Sequence, residues 1–189
     1  MGTGFLSELG WSVSRRWRDV RARLYVLDKE PWIFGLVLVA IVAGFYFGLK
    51  AAYAHQNERR SLLCLARNIY FESRGEPLAG QYAVAEVTMN RKASGRYPDT
   101  VCGVVYQKNW DPLRGRYVGA FSWTEFDTLP QPEGEQWIQA WEIAEDVYYA
   151  REPRVLDLGA MFFHATYVKP DWAKTKKPIA RIGGHIFYR

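Results

Sequence analysis

The chain has 189 residues, 49% of them hydrophobic and 24% charged, a balance that excludes disorder as its main state. Two cysteines are too few for a disulfide-rich scaffold or a four-cysteine zinc site. The formal charge of +5 is unevenly spread: residues 1–54 hold seven Lys/Arg against four Asp/Glu, whereas residues 55–189 hold 18 against 16, so the larger part is near neutral and no nucleic-acid partner is expected.

The first segment, residues 1–31, carries Phe5, Leu9, Val13, Trp17, Val20, Leu24 and Leu27 at spacings of three and four. These positions form one face of a helix, and Arg15, Arg16, Arg18, Arg21 and Arg23 lie off it. A basic amphipathic helix of this kind suits an anionic membrane surface, or alternatively a partner protein. Residues 32–50 follow as a predicted transmembrane helix, because Trp32 to Leu49 contains no charged residue and at about 1.5 Å per residue just spans a bilayer core. Six Lys/Arg precede it, so the positive-inside rule puts the N-terminus in the cytoplasm and the rest outside the inner membrane, in the periplasm or its equivalent. The Ala52-Tyr53-Ala54 pattern raises signal-peptide cleavage as a rival, but the apolar run starts far from Met1. Residues 51–60 are expected to be a linker.

Residues 61–189 are long enough for one compact core. Leu62, Leu65, Ala66, Ile69 and Tyr70 predict a helix over 61–73, with Ser61 as its N-cap. Gly75 stops it, and Glu76-Pro77 opens a second helix running to about Lys92. Residues 95–132 read as loops with short strands or turns. Trp137, Trp141, Ala144 and Tyr148 mark a third helix over about 134–151, with both tryptophans in the core. Val155–Tyr167 predicts a strand or two, and Ile179–Tyr188 another, bent at Gly183-Gly184. The class is α+β and helix-led. Cys64 and Cys102 both fall on the oxidising side of the membrane, so a disulfide between them is expected, two buried thiols being the alternative.

Glu72 is the most informative residue. It continues the inward stripe Leu62, Leu65, Ile69, which puts a carboxyl at a buried position near a helix C-terminus. Burial and the negative end of the helix dipole both favour its protonated form. A carboxylic acid protonated near neutral pH is what glycosidic cleavage needs as general acid. The competing reading is a glutamate neutralised by Arg67 or Arg74. Glu76 reads as a cap of the second helix, and Glu86 as a buried ion-pair partner or part of a solvated face. Glu125 and Asp127 are the loop acids available as a second carboxylate.

The run LARNIYFESRGEPLAGQYAVAEVTMNR over residues 65–91 closely resembles the signature of the SleB/CwlJ family of cell wall hydrolases. Further matches are VCGVVYQ at 101–107, FSW at 121–123, FHATYVKPDW at 163–172 and IGGHIFY at 182–188, so the resemblance covers about residues 61–189 in order. Ser73 departs from the alanine more frequent in the family. The apolar segment stands where some spore-cortex members carry a peptidoglycan-binding module, which removes the grounds for assuming a germination role. The resemblance implies a lysozyme-like fold that cleaves peptidoglycan glycan strands, with Glu72 as catalytic acid and no cofactor. A lytic transglycosylase needs only one carboxyl, and none but Glu72 stands out. Candidate substrate contacts are Arg74, Ser122, Trp123, His164, Tyr167 and His185. Other readings are a zinc N-acetylmuramoyl-L-alanine amidase, although His164 and His185 lack a third ligand of diagnostic spacing, and a non-catalytic peptidoglycan-binding protein.

Overall fold

The computed structural model describes residues 31–112 and 114–189. Apart from Pro31, the amphipathic segment expected over 1–31 lies outside the described residues. The chain divides into two units, Met1–Ala54 and His55–Arg189.

Within the first unit, residues 31–54 are helical and none is buried. Trp32, Leu36, Val39, Ile41, Phe45 and Leu49 each expose more than half of their surface. The helix is long and apolar enough to cross a membrane, with a mean hydropathy of 2.3 over its apolar window.

Helix α1 spans Pro31–Ser73 without interruption. The expected linker over 51–60 is therefore helical. Its residues, Ala-Ala-Tyr-Ala-His-Gln-Asn-Glu-Arg-Arg, include several strong helix formers and neither glycine nor proline to break the ladder. Ser61 is correspondingly no cap: it sits mid-helix, and its hydroxyl donates to the Asn57 carbonyl at 2.9 Å.

In the second unit, α1 contributes a buried face of Leu62, Leu65, Ala66, Ile69 and Tyr70. It ends at Ser73, whose hydroxyl donates back to the Ile69 carbonyl at 2.9 Å. After the turn through Gly75, α2 runs Leu78–Ala93. Two cores meet on α2. On one face Ala85 joins Leu65, Ile69, Val101, Val105, Ile143 and Ala144. On the other Ala83, Val84 and Val87 join Leu156, Ala160 and Phe187. A helix apolar on two faces is buried between layers, and the small side chains of α2 let its neighbours approach. Helix α3 (Val101–Val105) is capped by Thr100, whose hydroxyl oxygen accepts the Gly103 N–H. A disulfide joins Cys64 on α1 to Cys102 on α3.

A hairpin of β1 (Lys108–Asp111) and β2 (Arg116–Gly119) and a 3-10 turn (Ser122–Glu125) lead to α4, Gly134–Tyr149. Strands β3 (Phe162–Ala165), β4 (Pro178–Ile182) and β5 (His185–Tyr188) form an antiparallel sheet in the order β3-β5-β4. Gly183 and Gly184 make the two-residue β4–β5 turn, with Gly183 at φ +56°.

Of the strand expected over Val155–Tyr167, only β3 forms. The backbone ahead of it is taken by side chains of α2. Glu86 accepts the N–H groups of Val155 and Leu156 at 2.9 and 2.8 Å. Asn90 donates to the carbonyls of Asp157 and Ala160, and Arg91 to that of Met161. Groups spent on these bonds are not free for a ladder. This also fixes the role of Glu86: it is 2% exposed and holds a loop, with Arg154 3.8 Å away.

Candidate active site

Glu72 occupies the last turn of α1, half-buried, where the predicted inward stripe places it. Burial pushes its carboxyl up to about 7, and the Arg91 guanidinium pulls against that rise. The acid is therefore protonated in a large fraction of molecules at neutral pH, and the positive charge is poised to receive the carboxylate once the proton has gone.

The charge acting on Glu72 is Arg91 on α2, and not Arg67 or Arg74, the arginines named in the competing reading. Arg91 is 9% exposed, donates its Nε–H to the Met161 carbonyl at 2.8 Å, and lies 5.2 Å from the Phe121 ring and 5.5 Å from that of Tyr97. Sequence reading missed it, although the signal was the one that found Glu72. Val84, Val87 and Arg91 continue the buried stripe of α2 at helical spacing.

Glu76 is not a helix cap. Pro77 precedes α2 and no side chain caps it. The Glu76 carboxylate reaches across to the β4–β5 turn, where Oε2 accepts the Gly184 N–H at 2.7 Å and Oε1 lies 3.7 Å from His185 Nδ1.

Two of the candidate sugar contacts belong to the interior. Trp123 is 5% exposed, donates its indole N–H to Asn68 Oδ1 at 2.9 Å and stacks on Phe71 at 4.9 Å. It supports the end of α1 from below and does not line a groove. His185, 7% exposed, is too buried to present a face to a sugar. His164 has both ring nitrogens engaged, Nδ1 with the Ala165 carbonyl at 2.9 Å and Nε2 with the Tyr188 hydroxyl at 2.8 Å. A carbonyl only accepts, so Nδ1 carries a proton. Arg74, Ser122 and Tyr167 are exposed, Tyr167 at 88%, and the Arg74 guanidinium lies 5.0 Å from the Tyr70 ring.

Glu125 is committed elsewhere. It accepts the Gly119 N–H at 2.5 Å and pairs with Arg116 at 2.9 Å, and these bonds hold its carboxyl below the usual range. Asp127 is exposed. Among the described residues no three His, Cys, Asp or Glu side chains converge as a metal-binding group.

A family model described as Cell Wall Hydrolase matches residues 75–188. The chain belongs to this family of cell wall hydrolases. Its matched stretch begins just after Glu72. The spore cortex-lytic enzyme of Oceanobacillus iheyensis is 30% identical over 124 residues, which cover 65% of this chain and 39% of that protein. The spore cortex-lytic enzyme of Bacillus cereus is 30% identical over 123 residues, 65% of this chain and 42% of the relative. The chain thus spans well under half the length of these relatives. Two solved structures share the fold: the catalytic domain of the Bacillus cereus SleB protein, at 29% identity and a TM-score of 0.53 over 71% of this chain and 91% of that one, and the catalytic domain of the germination-specific lytic transglycosylase SleB from Bacillus anthracis, at 27% identity and a TM-score of 0.50 over 68% and 93%.

Proposed function

We propose that this cell wall hydrolase is a membrane-anchored enzyme that cuts peptidoglycan glycan strands between N-acetylmuramic acid and N-acetylglucosamine, as a lytic transglycosylase. The observation that carries the reading is Glu72, a carboxyl at a helix end raised to about 7 by burial beside a buried arginine. The name of the Bacillus anthracis relative supports it. Glu72 donates its proton to the glycosidic oxygen as the bond to muramic C1 breaks. The resulting carboxylate, facing Arg91, then takes the proton of the muramic 6-hydroxyl as that oxygen closes on C1. Proton and leaving group balance within one carboxyl, and the product is a 1,6-anhydro sugar.

In this reading residues 32–50 anchor the chain in the inner membrane, 1–31 are cytoplasmic, and 61–189 form the catalytic domain outside. The exposed Arg74, Ser122 and Tyr167 are the proposed contacts to sugar.

The test is mass spectrometry of muropeptides released from purified sacculi by the full-length chain in detergent. Anhydro-muropeptides are expected. Reducing-end products alone would change the assignment to a muramidase. Free stem peptides with intact glycan, released in a chelator-sensitive manner, would make it an amidase. An active Glu72→Gln variant would overturn the mechanism.

A further inference from the structure

Glu76 has one carboxylate oxygen on the Gly184 N–H and the other facing His185 Nδ1. The pair is enclosed: the side chains of His185 and Glu76 expose 9% and 21% of their surfaces. Nδ1 of His185 is buried with no hydrogen-bond partner at its 3.7 Å separation from Glu76. Closing that gap by under about 1 Å makes a hydrogen bond of ordinary length. The carboxylate enters this turn only because two glycines face it. A Cβ at Gly184 would stand 2.7 Å from Oε1, and one at Gly183 would collide with Oε2.

We propose that Glu76 and His185 act as a carboxylate–imidazole clamp that positions Glu72, by fastening the turn after α1 to the β4–β5 turn. The idea rests on the function proposed above. Two routes connect the clamp to the acid. Along the backbone, the Glu76 N–H donates to the Ser73 carbonyl at 2.9 Å, so Glu76 closes the turn that ends the helix of Glu72. Through the core, the His185 ring meets Phe163 edge-on at 5.3 Å, Phe163 packs on Phe121 at 6.3 Å, and Phe121 lies under Arg91.

The clamp has a chemical signature. Burial holds His185 below the usual histidine range, so the ring is neutral and carries one proton. A carboxylate facing Nδ1 selects the tautomer with that proton on Nδ1, because an Nδ1 lone pair opposite a carboxylate is repelled.

Imidazole 15N NMR of the full-length protein in detergent reads this directly. The chain has three histidines, and H185Q assigns the resonance. The Nδ1–H tautomer is expected at neutral pH, and the Nε2–H tautomer would overturn the clamp. Steady-state kinetics on solubilised glycan strands read its purpose. Glu76→Ala loses both contacts, and kcat is expected to fall at least about tenfold with KM within about twofold, as for a slightly misplaced catalytic group. Glu76→Gln, which keeps an acceptor for Gly184, is expected to recover part of that loss. A folded Glu76→Ala protein with unchanged kcat would overturn the positioning role. If that variant does not fold, the tautomer of the wild-type protein decides. If the wild-type chain releases nothing from sacculi, the proposed function falls while the tautomer measurement still stands or falls on its own.

Discussion

At the scale of single residues, the proposed chemistry rests on a carboxyl that folding holds in an unfavourable place. The pKa of Glu72 is about 7 in the folded chain against an ordinary 4.5. Its contribution to stability is therefore complete below about pH 4.5 and is lost as pH rises through 7. Glu72→Gln removes that loss. It is expected to be more stable than the wild type at pH 8 by on the order of 3 kcal/mol, and equal to it near pH 4, in paired denaturation curves. The same substitution is expected to lower turnover by at least about a hundredfold, because an amide supplies no proton. Wild-type turnover should fall as pH climbs past 7, since the donor is the protonated form; a rate that keeps rising to pH 9 would contradict this assignment. Glu72 was legible in the sequence because a charged residue on an apolar stripe stands out. Arg91 carried the same mark and was passed over. The partner of Glu76 was not legible at all. Gly184 and His185 follow more than a hundred residues later, and no spacing announces that a two-glycine turn will open onto a carboxylate.

Among the elements, the end of α1 is held from several sides. Trp123 lies under Phe71, Asn68 links Thr88 to the Trp123 indole, and the disulfide ties α1 to α3. The disulfide closes a sequence separation of 38, which in the chain-entropy model stabilises by about 3–4 kcal/mol. A Cys64→Ala, Cys102→Ala double variant is expected to unfold at correspondingly lower denaturant, with the m-value checked for a change in the unfolded state. No free thiols are expected in the denatured, unreduced wild type. The helices were readable because periodicity survives wherever one face is buried: those predicted to end near Lys92 and near residue 151 form as Leu78–Ala93 and Gly134–Tyr149. The stretch 155–161 misled for a definite reason. Leu156, Ala160 and Met161 are buried while Val155 and Leu158 are exposed, and Glu86, Asn90 and Arg91 claim its backbone. Side-chain capture of this sort leaves no trace in hydropathy. Trp123 misled differently, since an aromatic that floors a site from within has the same composition signal as one that faces it.

For the whole molecule, the arrangement of charge around the apolar helix predicts topology. Alkaline phosphatase fused after His55 is expected to be active and a cytoplasmic reporter at the same point silent; the reverse would invert the orientation proposed. The sheet order carries a further consequence, in time rather than space. β5 lies between β3 and β4, and both must wait for it. Until residues 185–188 have left the ribosome, the two earlier strands have nothing to pair with. The second core of α2 lacks Phe187, and the Glu76 carboxylate lacks the Gly184 N–H. A polypeptide released after Thr175 but ahead of Gly183 would carry Glu72 and every helix of the fold yet lack β5 and the Gly184 N–H that the Glu76 carboxylate accepts. On the function proposed above, premature termination is therefore expected to yield an inert protein and not an unregulated one, so that a cell making such an enzyme would be protected from its own unfinished copies.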